Sequence, residues 1–222
     1  MKIGINLVGV SYNDGSNGRY RNYEDALEGF MVNVVNPLKE EGHDVIFYLY
    51  SYRNNKEQEI IETYNPKKYT FINPTLNQFG GGDRLSNGMK LISFTYIESL
   101  KQLLDEELDL IISTRFDISF YKNPFQEYEY DFTKCNYLWR EPEFTHVPIV
   151  SDVFIVFPHQ MTQNLINSII KMETDPPHGV GVAMHNIYVP MCDEVGKENV
   201  KIVCDEYKRS HTNDLYKLTR KE

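Results

Sequence analysis

Arg115 and Asp117 stand two residues apart at the end of a short apolar run, in Leu108-Asp109-Leu110-Ile111-Ile112-Ser113-Thr114-Arg115-Phe116-Asp117-Ile118-Ser119-Phe120. The run has strand length, and in an open α/β sheet ligands collect beyond the carboxyl ends of strands. A charged pair there is placed to meet one. Asp117 can hold a divalent cation and Arg115 a phosphate oxygen, which together describe a site for a nucleoside diphosphate. The competing reading is an arginine–aspartate surface pair that closes a turn.

A second candidate follows the first apolar run, in Gly9-Val10-Ser11-Tyr12-Asn13-Asp14-Gly15-Ser16-Asn17-Gly18-Arg19-Tyr20-Arg21. A Gly- and Asn-rich turn before a helix can offer backbone N–H groups and the helix's positive end to an anion. Val10, Ser11, Arg19 and Arg21 are its candidate contacts, against a solvated loop with surface arginines. It is not a Gly-x-Gly-x-x-Gly fingerprint, and no Gly-Lys-Ser/Thr occurs anywhere, which disfavours a Walker-type hydrolase. Gly80-Gly81-Gly82-Asp83-Arg84 reads as a mobile loop in which Arg84 can reach a phosphate, or as a simple hinge.

Asp152 leads into the apolar Val153-Phe154-Ile155-Val156-Phe157, where a carboxylate is costly unless paired or bound to a ligand. It can accept from a sugar hydroxyl, with Trp139 and Phe144 as stacking faces; a core role for Trp139 is equally open. The six histidines lack the spacing of a zinc helix. His211, beyond the last expected strand, is placed to add a metal ligand if the tail folds over a cleft, and His185 is a weaker candidate.

The elements that must position these residues alternate. Strands are expected at residues 2–10, 44–50, 69–72 and from 109, and later at 137–140, 149–157 and 200–204. Helical spacing of apolar residues marks 23–38, capped by Asn22 and closed by Pro37 and Gly42, then 56–64, 85–103, 160–172 and 179–189. This alternation implies an α/β domain with a mixed, mostly parallel sheet flanked by helices. With 222 residues and no convincing linker, one domain is expected: a nucleotide-binding half to about residue 120, an acceptor half to about 204, and a polar tail from 205.

Composition narrows the partners. There are 32 acidic against 23 basic residues, a net charge of −9, so no basic excess exists to displace counterions from nucleic acid. No run has the length of a membrane span, and residues 1–6 go straight into a strand pattern instead of a signal peptide. Three cysteines without Cys-x-x-Cys spacing point to a reducing compartment, and a cytoplasmic location is expected.

Three segments together resemble nucleotide-sugar-dependent glycosyltransferases of the GT-A fold, especially small ones of bacterial polysaccharide clusters and large DNA viruses. They are Gly18-Arg19-Tyr20-Arg21-Asn22-Tyr23, residues 108–118, and Val150-Ser151-Asp152-Val153-Phe154-Ile155. The resemblance implies a GT-A-like, Rossmann-like fold and transfer of a sugar from a nucleoside-diphosphate donor, UDP-linked for example, to a glycan hydroxyl. It also implies Mn²⁺ or Mg²⁺ at an Asp-x-Asp motif, but here Arg115 occupies the first acidic position. Two alternatives follow. Asp117 holds the metal, with His211 completing its shell, or Arg115 neutralises the diphosphate alone. Arg19, Arg21 and Arg115 would grip phosphates, and Asp152 would deprotonate the acceptor if the mechanism inverts. A non-catalytic sugar- or nucleotide-binding module and a nucleotidyltransferase are the rival readings.

Overall fold

A computed structural model describes residues 1–15, 20–73, 84–141, 148–175, 184–208 and 213–219, without the side chains of 84–89 and 205. Lys2–Gly9 forms β1, and Tyr12–Asn13 and Arg21–Asn22 form the short antiparallel β2 and β3. The chain then enters α1 (Glu24–Phe30), a π-helical stretch Met31–Val35 and α2 (Asn36–Glu40), followed by β4 (Asp44–Tyr52), α3 (Glu57–Tyr64) and β5 (Lys68–Ile72). Next come α4 (Arg84–Lys101), β6 (Leu110–Arg115), β7 (Ile118–Phe120), α5 (Pro124–Glu127) and β8 (Cys135–Arg140). β9 (Phe154–Pro158), α6 (Thr162–Thr174), α7 (Tyr188–Val195), β10 (Val200–Tyr207) and β11 (Tyr216–Leu218) complete the order.

Among the described residues, seven strands make one sheet in the order β10-β8-β9-β6-β1-β4-β5. β5, β4, β1 and β6 run parallel, and β9 is antiparallel to both β6 and β8. The expected α/β, mostly parallel sheet is what forms. Side-chain alternation divides the core as a two-residue period requires. Ile3, Ile5, Leu7, Leu110 and Ile112 pack with Phe30, Val34, Leu38 and Ile60 from α1, its π continuation, α2 and α3. Val8 and Ile111 face the other way, toward Tyr96, Ile97 and Leu100 of α4 and Leu165, Ile169 and Met191 of α6 and α7. Each sheet face is thus covered by helices.

Several boundaries differ from expectation for local reasons. Asn22 accepts from the Glu24 amide at 3.2 Å, one position short of a regular cap. Pro37 does not end its helix: the π-helical turn before it accommodates a residue without an N–H, and the chain stays helical to Glu40. Gly42, at φ +83°, turns the chain afterwards. Residues 149–153 are not a strand; only Val150 bridges to Arg140, so Asp152 sits in an irregular lead-in to β9.

The largest correction concerns the tail. β10 extends to Tyr207, and β11 pairs antiparallel with β7, Tyr216 opposite Phe120. Leu215 and Tyr216 are both buried within the core. The tail looked polar because its apolar residues are too few to show a period, yet those few are the ones that pack. Among the described residues no helix is long and apolar enough to cross a membrane.

Candidate functional site

Register places three strand ends side by side. Gly9 of β1 pairs with Ser51 of β4, and Val8 pairs with Arg115 of β6. The chain builds β4 and β5 on one side of β1, then crosses through α4 to build β6 on the other. The crevice at such a reversal, beyond the carboxyl ends, is where open α/β sheets bind ligands. A cavity of about 310 Å³ lies there. Val8, Gly9, Val10, Tyr52 and Arg115 line it from the strand ends, and Arg21 from β3. Ile92, Thr95 and Tyr96 of α4, with Asp117, Asp152, Met184 and His185, complete the wall. The lining is mainly apolar, with a few convergent charges, as small-molecule sites are.

β6 stops at Arg115 because the chain turns out of the sheet into β7. Phe116 anchors that turn by packing edge-on against Tyr64, with ring centroids 6.0 Å apart. The Asp117 carbonyl is fixed by the Thr219 amide at 2.9 Å, so the strand contributed by the tail helps hold the turn. Asp117 itself is almost fully buried between two guanidinium groups. Arg115 donates Nε to Oδ1 at 2.9 Å and Nη2 to Oδ2 at 2.7 Å, a two-point contact. Arg21 brings Nε to 3.2 Å from Oδ2. Burial weighs against the Arg115 charge, but the facing Asp117 carboxylate more than offsets it and raises its pKa above the ordinary arginine value. Two cations around one anion leave this cluster with a net positive charge.

A second pair faces this cluster. His185 Nδ1 lies 3.3 Å from Asp152 Oδ1, and 3.7 Å from Oε1 of Glu141. Asp152 Oδ1 is buried and has no hydrogen-bond partner of good geometry, so the contact with His185 is an ion pair rather than an aligned hydrogen bond. Asp152 raises the His185 pKa above its usual value, against the opposing effect of burial and with further help from Glu141.

The candidate residues from the sequence therefore divide. Val10, Arg21, Arg115, Asp117 and Asp152 share one cavity. Ser11 does not line it: its hydroxyl is buried 2.7 Å from the Ser51 hydroxyl and accepts from Asn54 Nδ2 at 3.1 Å, tying the loop to β4. Trp139 is not a stacking face for sugar, being fully buried and stacked on Tyr216 with centroids 5.5 Å apart. Arg19, His211, Phe144 and Gly80 to Asp83 lie outside the described residues, as does the side chain of Arg84.

Tyr52, Thr95, Tyr96, Met184 and His185 also line the cavity, and of these the sequence offers only His185 as a candidate. Tyr52 ends β4 as Arg115 ends β6, two residues beyond the strand end that the sequence suggests. Its hydroxyl lies 2.9 Å from Thr95 Oγ1, which joins β4 to α4 across the cavity wall. The pairing of His185 with Asp152 carries no sequence signal, because it arises through tertiary folding alone. Comparison with protein-family models and with curated proteins finds no match to this sequence.

Proposed function

We propose that the chain is a glycosyltransferase of GT-A-like fold that moves a sugar from a nucleoside-diphosphate donor to a glycan hydroxyl. One observation carries this reading: Arg21 and Arg115 converge on Asp117 at the β1/β6 crevice, in the same cavity as Asp152. The hard step in sugar transfer is departure of the nucleoside diphosphate, which needs preorganised positive charge where negative charge develops. The two arginines supply it, and their geometry is set before the ligand arrives. Asp152, with His185 beside it, is the carboxylate that accepts the acceptor's hydroxyl proton. The apolar and aromatic wall from Val8, Tyr52, Ile92 and Tyr96 suits a base or sugar ring. The free cysteines Cys135, Cys192 and Cys204 support a reducing, cytoplasmic setting.

The test is incubation with a panel of nucleoside-diphosphate sugars and glycan acceptors. Release of nucleoside diphosphate together with sugar on the acceptor supports the reading. Release of pyrophosphate would make the chain a nucleotidyltransferase, and binding without turnover would make it a binding module.

A further inference from the structure

We propose that this site grips its diphosphate without a divalent cation, and that Asp117 is a positioning residue for Arg21 and Arg115 instead of a metal ligand. The inference rests on the functional reading above, and it turns on what the donor set around Asp117 can hold. Mg²⁺ and Mn²⁺ take oxygen ligands, commonly one or two carboxylates together with water and substrate phosphate. Asp117 is the carboxylate that such an ion would need, and both of its oxygens are engaged. Oδ1 accepts from Arg115 Nε, and Oδ2 accepts from Arg115 Nη2 and faces Arg21 Nε.

A cation approaching Asp117 would have to displace a two-point guanidinium contact from a carboxylate that is only 4% exposed. It would then sit beside the displaced charge of Arg115. Asp152, the other carboxylate among the described residues that line the cavity, is turned to His185 at 3.3 Å. Among the described residues no group of three or more His, Cys, Asp or Glu is arranged to hold a metal ion. The described residues do not fit the ion.

They do fit an anion. A guanidinium carries five N–H donors, and Arg115 commits two of them to Asp117. Its remaining donors belong to a side chain that lines the cavity and is 30% exposed, and Arg21 lines the same cavity. The carboxylate therefore does for the arginines what a neighbouring carboxylate does for a metal-bound histidine: it fixes the orientation of the group that meets the ligand. Planar, forked donors held in this way suit the closely spaced oxygens of a diphosphate better than a point charge does.

Inorganic pyrophosphate is a sufficient probe, because it carries the diphosphate chemistry without requiring the base or the sugar. Calorimetric titration of the full chain in EDTA is expected to show binding. Arg115→Ala and Arg21→Ala, each confirmed as folded by circular dichroism, should weaken it tenfold or more. Asp117→Asn should weaken it at least threefold in EDTA, since the arginines lose their anchor. A purely structural Asp117 would lower the melting temperature without changing that affinity.

Binding in EDTA that is indifferent to both arginine variants would overturn the assignment. So would pyrophosphate or nucleoside-diphosphate binding that appears only when MnCl₂ or MgCl₂ is added, an outcome that leaves the transferase reading standing. No binding of either ligand, with or without metal, would overturn both.

Discussion

Asp117 is the residue on which the candidate site depends, and its role follows from company that no local pattern reveals. The sequence placed Arg115 and Asp117 at a strand end, because the five residues of β6 from Leu110 to Thr114 are apolar or small until the charge appears. It also singled out Arg21. That Arg21 closes on the same carboxylate depends on the β2–β3 hairpin and could not be read from spacing. A charge-assisted contact to phosphate contributes about 1.5–3 kcal/mol. Arg21→Ala is therefore expected to weaken a nucleoside diphosphate about ten- to a hundredfold, and the free nucleoside far less. Equal losses for the two ligands would place Arg21 in the base pocket instead. The His185–Asp152 pair offers a second check. Because the folded pKa of His185 is raised, the pair's contribution to stability is complete below the unfolded pKa, about 6.5, and fades as pH rises through the folded value. Asp152→Asn should bring the His185 pKa down in an NMR titration; an unchanged value would remove Asp152 as the cause.

At the level of elements, the site depends on β7 being held away from the main sheet. Gly29 of α1 lies against it so closely that an added Cβ would meet the Phe120 carbonyl at 2.7 Å and Ser119 Oγ at 2.4 Å. Asn33 reinforces the contact by donating to the same Phe120 carbonyl at 2.9 Å. Gly29→Ala should cost about 1–3 kcal/mol in denaturant unfolding, the usual range for overpacking. No loss would mean that α1 and β7 separate easily. On the far side of β7, Tyr216 packs on Phe120 and Trp139. Tyr216→Ala should cost about 3–5 kcal/mol, and deletion of residues 213–222 should cost more. A truncated chain as stable as the whole would restore the tail to the dispensable status that its polar composition suggests. The parallel strands β1, β4 and β6 were legible because each is a largely apolar run between turn residues. β7 and β11 were not, since three-residue strands carry too few positions for a period to show. The helix through Pro37 was not legible either, because the π-helical turn that precedes it has no sequence signature of its own.

Across the molecule, an ion cluster outside the site holds the turn between α4 and β6 to the sheet edge. Glu106 is buried and receives Lys67 at 2.5 Å, Lys68 at 2.7 Å and the Tyr48 hydroxyl at 2.7 Å. Burial alone would raise its pKa, but the two lysines and Tyr48 outweigh that and hold it at about 2. A carboxylate depressed on folding contributes stability above its unfolded pKa and loses it as pH falls through the folded value. Glu106→Gln should therefore be less stable than the parent at pH 7, by roughly 1–3 kcal/mol, and the gap should close between about pH 4.5 and 2. A gap independent of pH would mean that the lysines contribute little. The same sheet that this cluster braces aligns the strand ends around the cavity, so binding there should register in the stability of the whole fold. Whether the crevice is a diphosphate site is decided by thermal unfolding with a nucleoside diphosphate, compared with the matching nucleoside. A ligand at a hundredfold excess over its Kd stabilises the folded state by about 2.7 kcal/mol, or roughly 5–10 °C for a chain of this size. A shift of that order is expected for at least one nucleoside diphosphate, a much smaller one for its nucleoside, and loss of the difference in Arg115→Ala. Equal shifts for nucleoside and diphosphate, or none for any diphosphate, would contradict a diphosphate site there.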